Sequence, residues 1–584
     1  MTHFQRALLS LAVCLCPALA SLPAVEPPQV RIAIPSAEAL KQDLKFLTEL
    51  NVEKKYEGQW ANIQDLLDTF LPGIDQTRPI RFDQILAADG QQSRFSIPVS
   101  GRRNFGNFVK QNLQGFGINA RRGAGGFFAL AGGGFPGFMR FENDYAVISE
   151  EKANLPKNFV PGTDIKALLA KAYGIGATID NDADGQKDRT AGMENLQKEL
   201  LGALKKRTTE SEKAFVLRKL VLSTPLDELE RFFVQSSNVT IGFVTDAKKK
   251  ESRAELSLTG LPGTDLDASV QLLGKTPSLF AALPRDETAI LSLRINHPLD
   301  DMRQKSLVAL IETAGPAYDL HTDSDEDRGD DSKTALKKAS ALFLKQLTAS
   351  IQNTKVLDGV LDIWSNDDGD QTLVGGINSA DGKTLDAVLK LFPAINTEMK
   401  FTPDVDKEGD VAIHSVNVPQ RYLAKFQEFC GKHDVVYFGL SDKVVWYAAG
   451  PDALDKLKAS IKTAAGEAPE VERINVIDGF LKVGPWINYL GKRRDRVNKE
   501  ADAAGKKLTT EEKKAREERD EVRKLAIAAF EDGDDTISGQ LYRVEEEVNG
   551  KTVHRAEGQT VFGTGILRFI GTMMSRFSKE TFAD

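Results

Sequence analysis

Four copies of a strand–turn–strand–helix pattern limit the folds open to this chain. The copies span residues 82–113, 239–273, 357–392 and 537–574, with turns at Asp89-Gly90, Asp246, Asp368-Gly369 and Asn549-Gly550. Asp-Gly and Asn-Gly between alternating apolar runs indicate a β-hairpin, because both turn residues tolerate a positive φ. The pattern predicts an α+β fold, in which antiparallel sheets carry helices packed on one face.

The length of 584 residues exceeds what one hydrophobic core normally serves, so several structural units are expected. We predict two pseudo-repeated lobes, residues 36–320 and 333–584, each with two hairpin–helix units. An acidic run at 321–332 lies between them and is interpreted as a linker or exposed loop, because like charges repel and stay solvated. Residues 21–35 are predicted to form an extended, proline-rich lead.

A second charged segment, residues 492–524, is predicted to form a helical arm that projects from the second lobe. Thr509 and Glu512 have the spacing of a capping box, and neighbouring Glu and Lys residues allow ion pairs along a helix. The arm is interpreted as a solvated surface, with partner binding as the alternative.

The N-terminus has the pattern of a secretory signal peptide over residues 1–20. Arg6 precedes a short apolar run, and Ala18-Leu19-Ala20 forms an A-x-A cleavage site. A lipoprotein signal, with Leu11-Ala12-Val13 before Cys14, and a buried N-terminal helix are the alternatives. The pattern predicts an extracytoplasmic location: periplasmic, cell-envelope or secreted. No later segment reaches the length of a transmembrane span.

Cysteine usage agrees with a fold held together by burial. Cys14 and Cys16 would leave with the signal peptide, so the mature chain would retain Cys430. A single thiol cannot form an internal disulfide. Its place in an amphipathic helical segment predicts a buried apolar position.

Charge and motifs argue against several functions. The net charge of -8 gives no sign of a nucleic-acid partner. The chain contains no H-E-x-x-H zinc motif, no G-x-S-x-G nucleophile motif and no Walker A loop. Triads assemble from scattered residues as well, so a catalytic site is not excluded.

One acidic segment has the spacing of a calcium loop. Carboxylates alternate before Gly185, which permits a sharp turn, and the twelfth position holds Ala191 where an EF-hand has a bidentate Glu. The segment predicts a weak structural Ca²⁺ site, with a plain solvated loop as the competing interpretation. Its candidate ligands are Asp180, Asp182, Asp184, Gln186 and Asp188.

This chain combines an export signal with paired hairpin–helix units. A short segment also precedes a predicted strand, Ser278-Leu279-Phe280-Ala281-Ala282-Leu283-Pro284. In this layout the chain resembles large uncharacterised exported proteins of planctomycete-type bacteria. The resemblance covers most of the mature chain and implies export. It carries over no reaction and no catalytic residue.

The sequence therefore favours an exported, non-enzymatic binding or structural protein, whose partner is an unknown protein or a cell-envelope component. The alternative is an exported hydrolase with its active site in a cleft between the lobes. A deep cleft lined by His414 or His433 would favour the hydrolase, and an exposed apolar patch would favour binding.

Overall fold

The computed structural model describes residues 29–582, with gaps at 88–89, 134–135, 156–159, 161–164, 172, 327, 471–472, 504, 506–507 and 532–533. The predicted signal peptide, residues 1–20, lies outside the described residues, as does most of the proline-rich lead. The end of that lead, Gln29–Ile34, is a strand of the sheet.

Strands in the described part of the chain form one antiparallel ladder. In the first half of the chain they are β1 Gln29–Ile34, β2 Ile80–Ala87, β3 Gly90–Pro98, β4 Ile118–Arg122, β5 Phe127–Gly132, β6 Gly137–Glu142, β7 Tyr145–Ser149, β8 Ile175–Asp180, β9 Ser236–Asp246 and β10 Glu251–Gly260. In the second half they are β11 Leu291–Pro298, β12 Val356–Ser365, β13 Gln371–Asn378, β14 Phe401–Glu408, β15 Val411–Asn417, β16 Val435–Leu440, β17 Val444–Ala449, β18 Asn475–Lys482, β19 Thr536–Val548 and β20 Lys551–Phe562.

The two halves of this ladder have the same strand order. The first half runs β4-β5-β6-β7-β3-β2-β1-β8-β9-β10. The second runs β14-β15-β16-β17-β13-β12-β11-β18-β19-β20. The halves join edge to edge, because β10 pairs with β20 and places Leu256 opposite Gly558.

Helices occupy the connections between strands. Those of the first half are α1 Ala37–Glu49, α2 Trp60–Thr69, α3 Gly101–Asn107, α4 Lys166–Leu169, α5 Gln186–Gly202, α6 Glu212–Val234 and α7 Asp265–Leu272. Those of the second half are α8 Asp301–Asp323, α9 Asp330–Thr354, α10 Asp386–Leu389, α11 Phe392–Ile395, α12 Gln420–Cys430, α13 Ala453–Ala464, α14 Val483–Ala503, α15 Thr510–Glu531 and α16 Thr564–Phe582. Residues 492–503 and 510–524 of the charged segment lie in helices α14 and α15.

The predicted hairpins form where the turn chemistry placed them. Asn549 and Gly550 both have positive φ, and the flanking β19 and β20 pair along their length. Gly369 adopts a positive φ in the turn between β12 and β13. The β9–β10 and β2–β3 hairpins also pair as predicted, although residues 88–89 of the latter turn lie outside the described part.

Helices lie on both faces of the sheet in the second half. Val374 and Trp446 pack with α13 on one face. Leu357, Ile377 and Tyr447 lie on the opposite face, beneath α8 and α9, and we call this the cavity face. The sequence predicted helices on one face of each sheet, whereas the second half has helices on both. Its strands present apolar side chains on both faces, and each face is covered by helices.

The acidic run at 321–332 connects α8 to α9, which pack against each other. The strand before α8 is β11, and it pairs with β12 and β18 of the second half. The change between halves therefore falls between α7 and β11, earlier than the linker predicted from the sequence. A like-charged run needs only exposure to water, and a turn between helices provides this as well as a linker does.

Candidate ligand-binding site

The site is built by a helical hairpin that lies over the cavity face. Asp300 caps α8 by accepting a hydrogen bond from the Arg303 backbone N–H at 3.0 Å. Helix α9 returns over the sheet and ends at Lys355, whose φ of 53° is left-handed and turns the chain into β12. The hairpin and the sheet do not close on each other, and a cavity remains between them.

This cavity has a volume of about 620 Å³. Most of its wall is aliphatic or aromatic, and none of its lining side chains carries a charge. The lining residues are Leu299, Leu307, Leu310, Ile311, Phe343, Gln346, Leu347, Ser350, Ile351, Thr354, Val356, Leu357, Ile377, Asn378, Ser379, Leu385, Val388, Leu389, Phe392, Phe438, Leu440, Val445 and Tyr447.

The amide groups in this wall already bind protein atoms. The Gln346 side chain donates to Ser379 Oγ at 2.8 Å and to the Asp381 carbonyl at 2.7 Å. The Asn378 side chain donates to Thr354 Oγ1 at 3.0 Å and to the Val356 carbonyl at 2.9 Å. Their polar surface therefore holds the wall together and leaves little to offer a ligand.

The hydroxyl groups of the wall are also engaged, with one exception. Ser350 Oγ donates to the Gln346 carbonyl at 2.9 Å and accepts from the Ala380 backbone N–H. The hydroxyl of Tyr447 makes no hydrogen bond within the described residues. Burial raises the pKa of Tyr447, so the phenol stays protonated and can donate to an acceptor in the cavity.

The cavity opens to solvent along a rim of large apolar side chains. Phe343 is 43% exposed, Leu357 41% and Ile377 39%. Exposed apolar groups that border a concave apolar space are typical of a ligand-binding site. Sequence analysis missed this site, since these residues also fit ordinary amphipathic helices and buried strands.

A second, polar space adjoins the cavity. It is a groove of about 890 Å³ between α7, the start of α8 and the end of α9, and we call it the polar groove. Leu299 and Thr354 line both spaces, so they are contiguous. The groove is lined by Asp265, Ala268, Leu272, Thr276, Pro298, Leu299, Asp300, Asp301, Met302, Gln304, Lys305, Thr354 and Lys355.

The sequence-predicted calcium ligands have protein partners in the structure. Asp180 pairs with Arg31 and accepts from the Asn238 side chain at 2.6 Å. Asp182 accepts from the Gly185 backbone N–H at 2.8 Å, just before α5 begins. These contacts account for two of the five acidic-loop positions without a metal.

The other three positions lie nearby, with Asp184 exposed and Gln186 and Asp188 in the first turn of α5. Among the described residues, no group of three His, Cys, Asp or Glu side chains is arranged to hold a metal ion. Calcium binding by this loop stays a prediction from the sequence.

The histidines named for a hydrolase do not meet at the junction of the halves. His414 is buried on β15, where its Nδ1 accepts from the Asp404 backbone N–H at 3.1 Å. His433 is exposed between α12 and β16. The two halves meet where β10 pairs with β20. Neither histidine belongs to these two strands.

No family model matches the chain, and neither a curated protein nor a solved structure is significantly similar to it. None of the helices in the described part combines the length and the apolar character that a membrane crossing needs. The site must therefore be interpreted from its own geometry.

Proposed function

We propose that this protein is an exported, non-enzymatic binding protein that holds an apolar small molecule in the cavity of its second half. The observation that carries the proposal is the uncharged cavity of about 620 Å³ with a single uncommitted hydroxyl, that of Tyr447, among the described residues. Pockets of this size and character are the usual sites of small apolar ligands.

The apolar wall of the cavity supports an apolar ligand. The cavity is open at its rim, so its wall faces water, and each Å² of apolar wall that a ligand covers contributes about 25 cal/mol to binding. Water is a poor filler, because an apolar wall offers few of the hydrogen bonds that a buried water needs. An apolar ligand replaces that water and covers the apolar wall.

The chemistry of the wall supports binding over hydrolysis. Ser350 and Ser379 are its serine hydroxyls, and each is hydrogen-bonded to backbone or amide groups rather than to a base. A nucleophilic serine needs a general base within hydrogen-bond reach. Among the described residues that line the cavity there is neither a histidine nor a carboxylate to serve as that base.

The proposal extends to cell location and origin. The signal-peptide pattern at residues 1–20 supports export, and an apolar ligand agrees with a partner in the cell envelope. The shared strand order of the two halves supports an internal duplication, with the cavity in one of the two copies. The layout resemblance to exported planctomycete proteins is part of the same proposal.

Binding of the apolar fluorescent dye N-phenylnaphthylamine to the purified chain tests this function. Ile377→Trp places an indole in the cavity and is expected to remove most of the dye binding. Ile241→Trp is the matched control, because Ile241 is also exposed on a strand but lies outside the cavity lining. Leu347→Phe, on α9, fills the same space from the opposite wall.

Thermal unfolding confirms that each variant is folded before its binding is compared. Undiminished dye binding in both cavity variants, or equal loss in Ile241→Trp, would overturn the proposal.

A further inference from the structure

The polar groove occupies a position that a helix fills in the other half of the molecule. Helices α7 and α16 occupy equivalent places in the chain, because each follows the last strand of its half, β10 or β20. Helices α1 and α8 are equivalent in the same way, because each follows the first strand of its half, β1 or β11. Helix α16 of the second half packs on α1 of the first half so closely that a β-carbon at Gly571 would be 1.9 Å from the Leu47 carbonyl oxygen. The Val52 backbone N–H donates to Thr572 Oγ1 at 3.2 Å in the same contact.

The equivalent space in the second half stays open because its helix is short. Helix α7 has 8 residues and α16 has 19. Where α16 covers α1, the polar groove lies between α7 and α8. Among the described residues, the difference in length therefore leaves a polar entrance to the apolar cavity at the place where α16 covers α1 in the other half.

The fixed part of the groove is a network around Asp300. Its carboxylate binds Arg231 at 3.0 Å and Arg303 at 3.3 Å. Burial raises the pKa of Asp300, but the Arg303 backbone N–H and the two guanidinium groups outweigh burial and hold that pKa below its ordinary value. Asp300 is thus ionised and already paired with two guanidinium groups of the protein.

Four other charged side chains of the groove remain free. Asp265, Asp301, Lys305 and Lys355 form no ion pair within the described residues, and all four are exposed. Two are acidic and two are basic, so a singly charged head group would meet like charge as well as opposite charge. A head group with both charges can pair with both kinds.

We propose that the ligand is a single-tailed amphiphile, with its tail in the apolar cavity and a zwitterionic head group in the polar groove. This inference rests on the proposed function and adds the chemical class of the ligand. The shared boundary at Leu299 and Thr354 gives the tail a path from one space to the other.

Displacement of N-phenylnaphthylamine by amphiphiles with the same tail tests the head group. Dodecylphosphocholine, dodecanoate, dodecyltrimethylammonium and dodecyl maltoside are compared below their micelle concentrations. The zwitterion is expected to displace the dye at about fivefold lower concentration than the other three, as exposed charge pairs are individually weak.

Lys305→Gln is expected to remove most of that preference. Lys345→Gln is the matched control, since Lys345 is an exposed lysine of α9 that lies outside both spaces. Equal displacement by all four amphiphiles, tighter binding of a singly charged one, or a preference that survives Lys305→Gln would overturn the inference while the proposed function stands. Absence of dye binding would instead overturn the proposed function.

Discussion

The ring of Tyr447 lies across Gly375 on the neighbouring strand, where a β-carbon at 375 would be only 2.2 Å from the ring's Cζ. The glycine thus leaves the room that lets the phenol lie flat on the cavity face. Strands β13 and β17 are joined at this pair by their ladder. The position of the Tyr447 hydroxyl therefore depends on the missing side chain at Gly375.

Tyr447→Phe should weaken ligand binding and leave the fold intact. Loss of one hydrogen bond to a ligand acceptor is expected to lower affinity about fivefold, and the free energy of unfolding should change little because the hydroxyl has no partner among the described residues. Dye displacement by a ligand with an acceptor group measures the affinity. Tyr437→Phe is the control, since Tyr437 packs on the opposite face; an equal effect there would contradict the role of Tyr447.

Gly375→Ala should both destabilise the protein and alter the cavity. The added methyl group forces the Tyr447 ring away from the sheet, and such overpacking costs about 1–3 kcal/mol. Chemical denaturation measures the loss of stability, and the dye reports the cavity. Gly106→Ala is the control, because nothing lies within 4 Å of a β-carbon there. If Gly375→Ala changed neither the free energy of unfolding nor dye binding, the Tyr447 ring would be shown to move aside without cost, which would contradict the prediction.

The stability of the second half should fall in mild acid because of His297. Burial, followed by the charge of Arg303, lowers the pKa of His297 from its ordinary value of 6.5, against the opposing effects of the Pro298 carbonyl, Glu228 and Asp300. Between the two pKa values the unfolded chain binds more protons than the folded chain. The free energy of unfolding therefore decreases as the pH drops through 6.5 toward the folded-state pKa.

Melting temperatures between about pH 7.5 and pH 5.5 test this dependence. His297→Gln is expected to flatten the dependence relative to the natural chain. His433→Gln, a change at an exposed histidine, should leave the slope as it was. Equal slopes in all three proteins would contradict the assignment.

Local turn chemistry could be predicted from the sequence, and long-range order could not. Asn549-Gly550 and Gly369 mark their hairpins because a positive φ is a property of the residues themselves. The pairing of Leu256 opposite Gly558 joins strands far apart in the chain, and no local pattern records it. The pairing of β11 with β12 and β18 is likewise long-range, and the sequence prediction, which placed the boundary at 321–332, had no signal for it.

The cavity could not be predicted from the sequence, because it results from how α8 and α9 pack over the sheet rather than from the types of residue that line it. Phe343 and Ile377 have the spacing of core residues in a helix and a strand, and both are exposed at its rim. The available sequence signal was the Gly375-Gly376 pair inside a strand, which indicates close approach of neighbouring groups. The polar groove depends on the short length of α7. That length becomes informative only when α7 is compared with α16, the longer helix at the equivalent place in the chain.

The calcium hypothesis makes a prediction that separates ligand loss from fold damage. Millimolar calcium should raise the melting temperature of the natural chain and should fail to do so for Asp184→Ala, since Asp184 is exposed and free of ion pairs within the described residues. Asp182→Ala is a poorer test, because it also removes the bond to the Gly185 N–H and about 1 kcal/mol of stability. An unchanged melting temperature of the natural chain in calcium would contradict the hypothesis.

Thiol labelling tests both the burial of Cys430 and the removal of the signal peptide. Burial, with a smaller effect from the charge of Asp370, raises the pKa of Cys430 to about 12, and its side chain is 1% exposed. The thiolate is the reactive form, so the native protein should not react with a disulfide reagent. After denaturation, exported protein should titrate one thiol per chain, whereas the full sequence contains 3. Rapid labelling of the native protein would contradict the burial of Cys430. A count of 3 thiols in the denatured exported protein would show that Cys14 and Cys16 remain, so that export does not remove the first twenty residues.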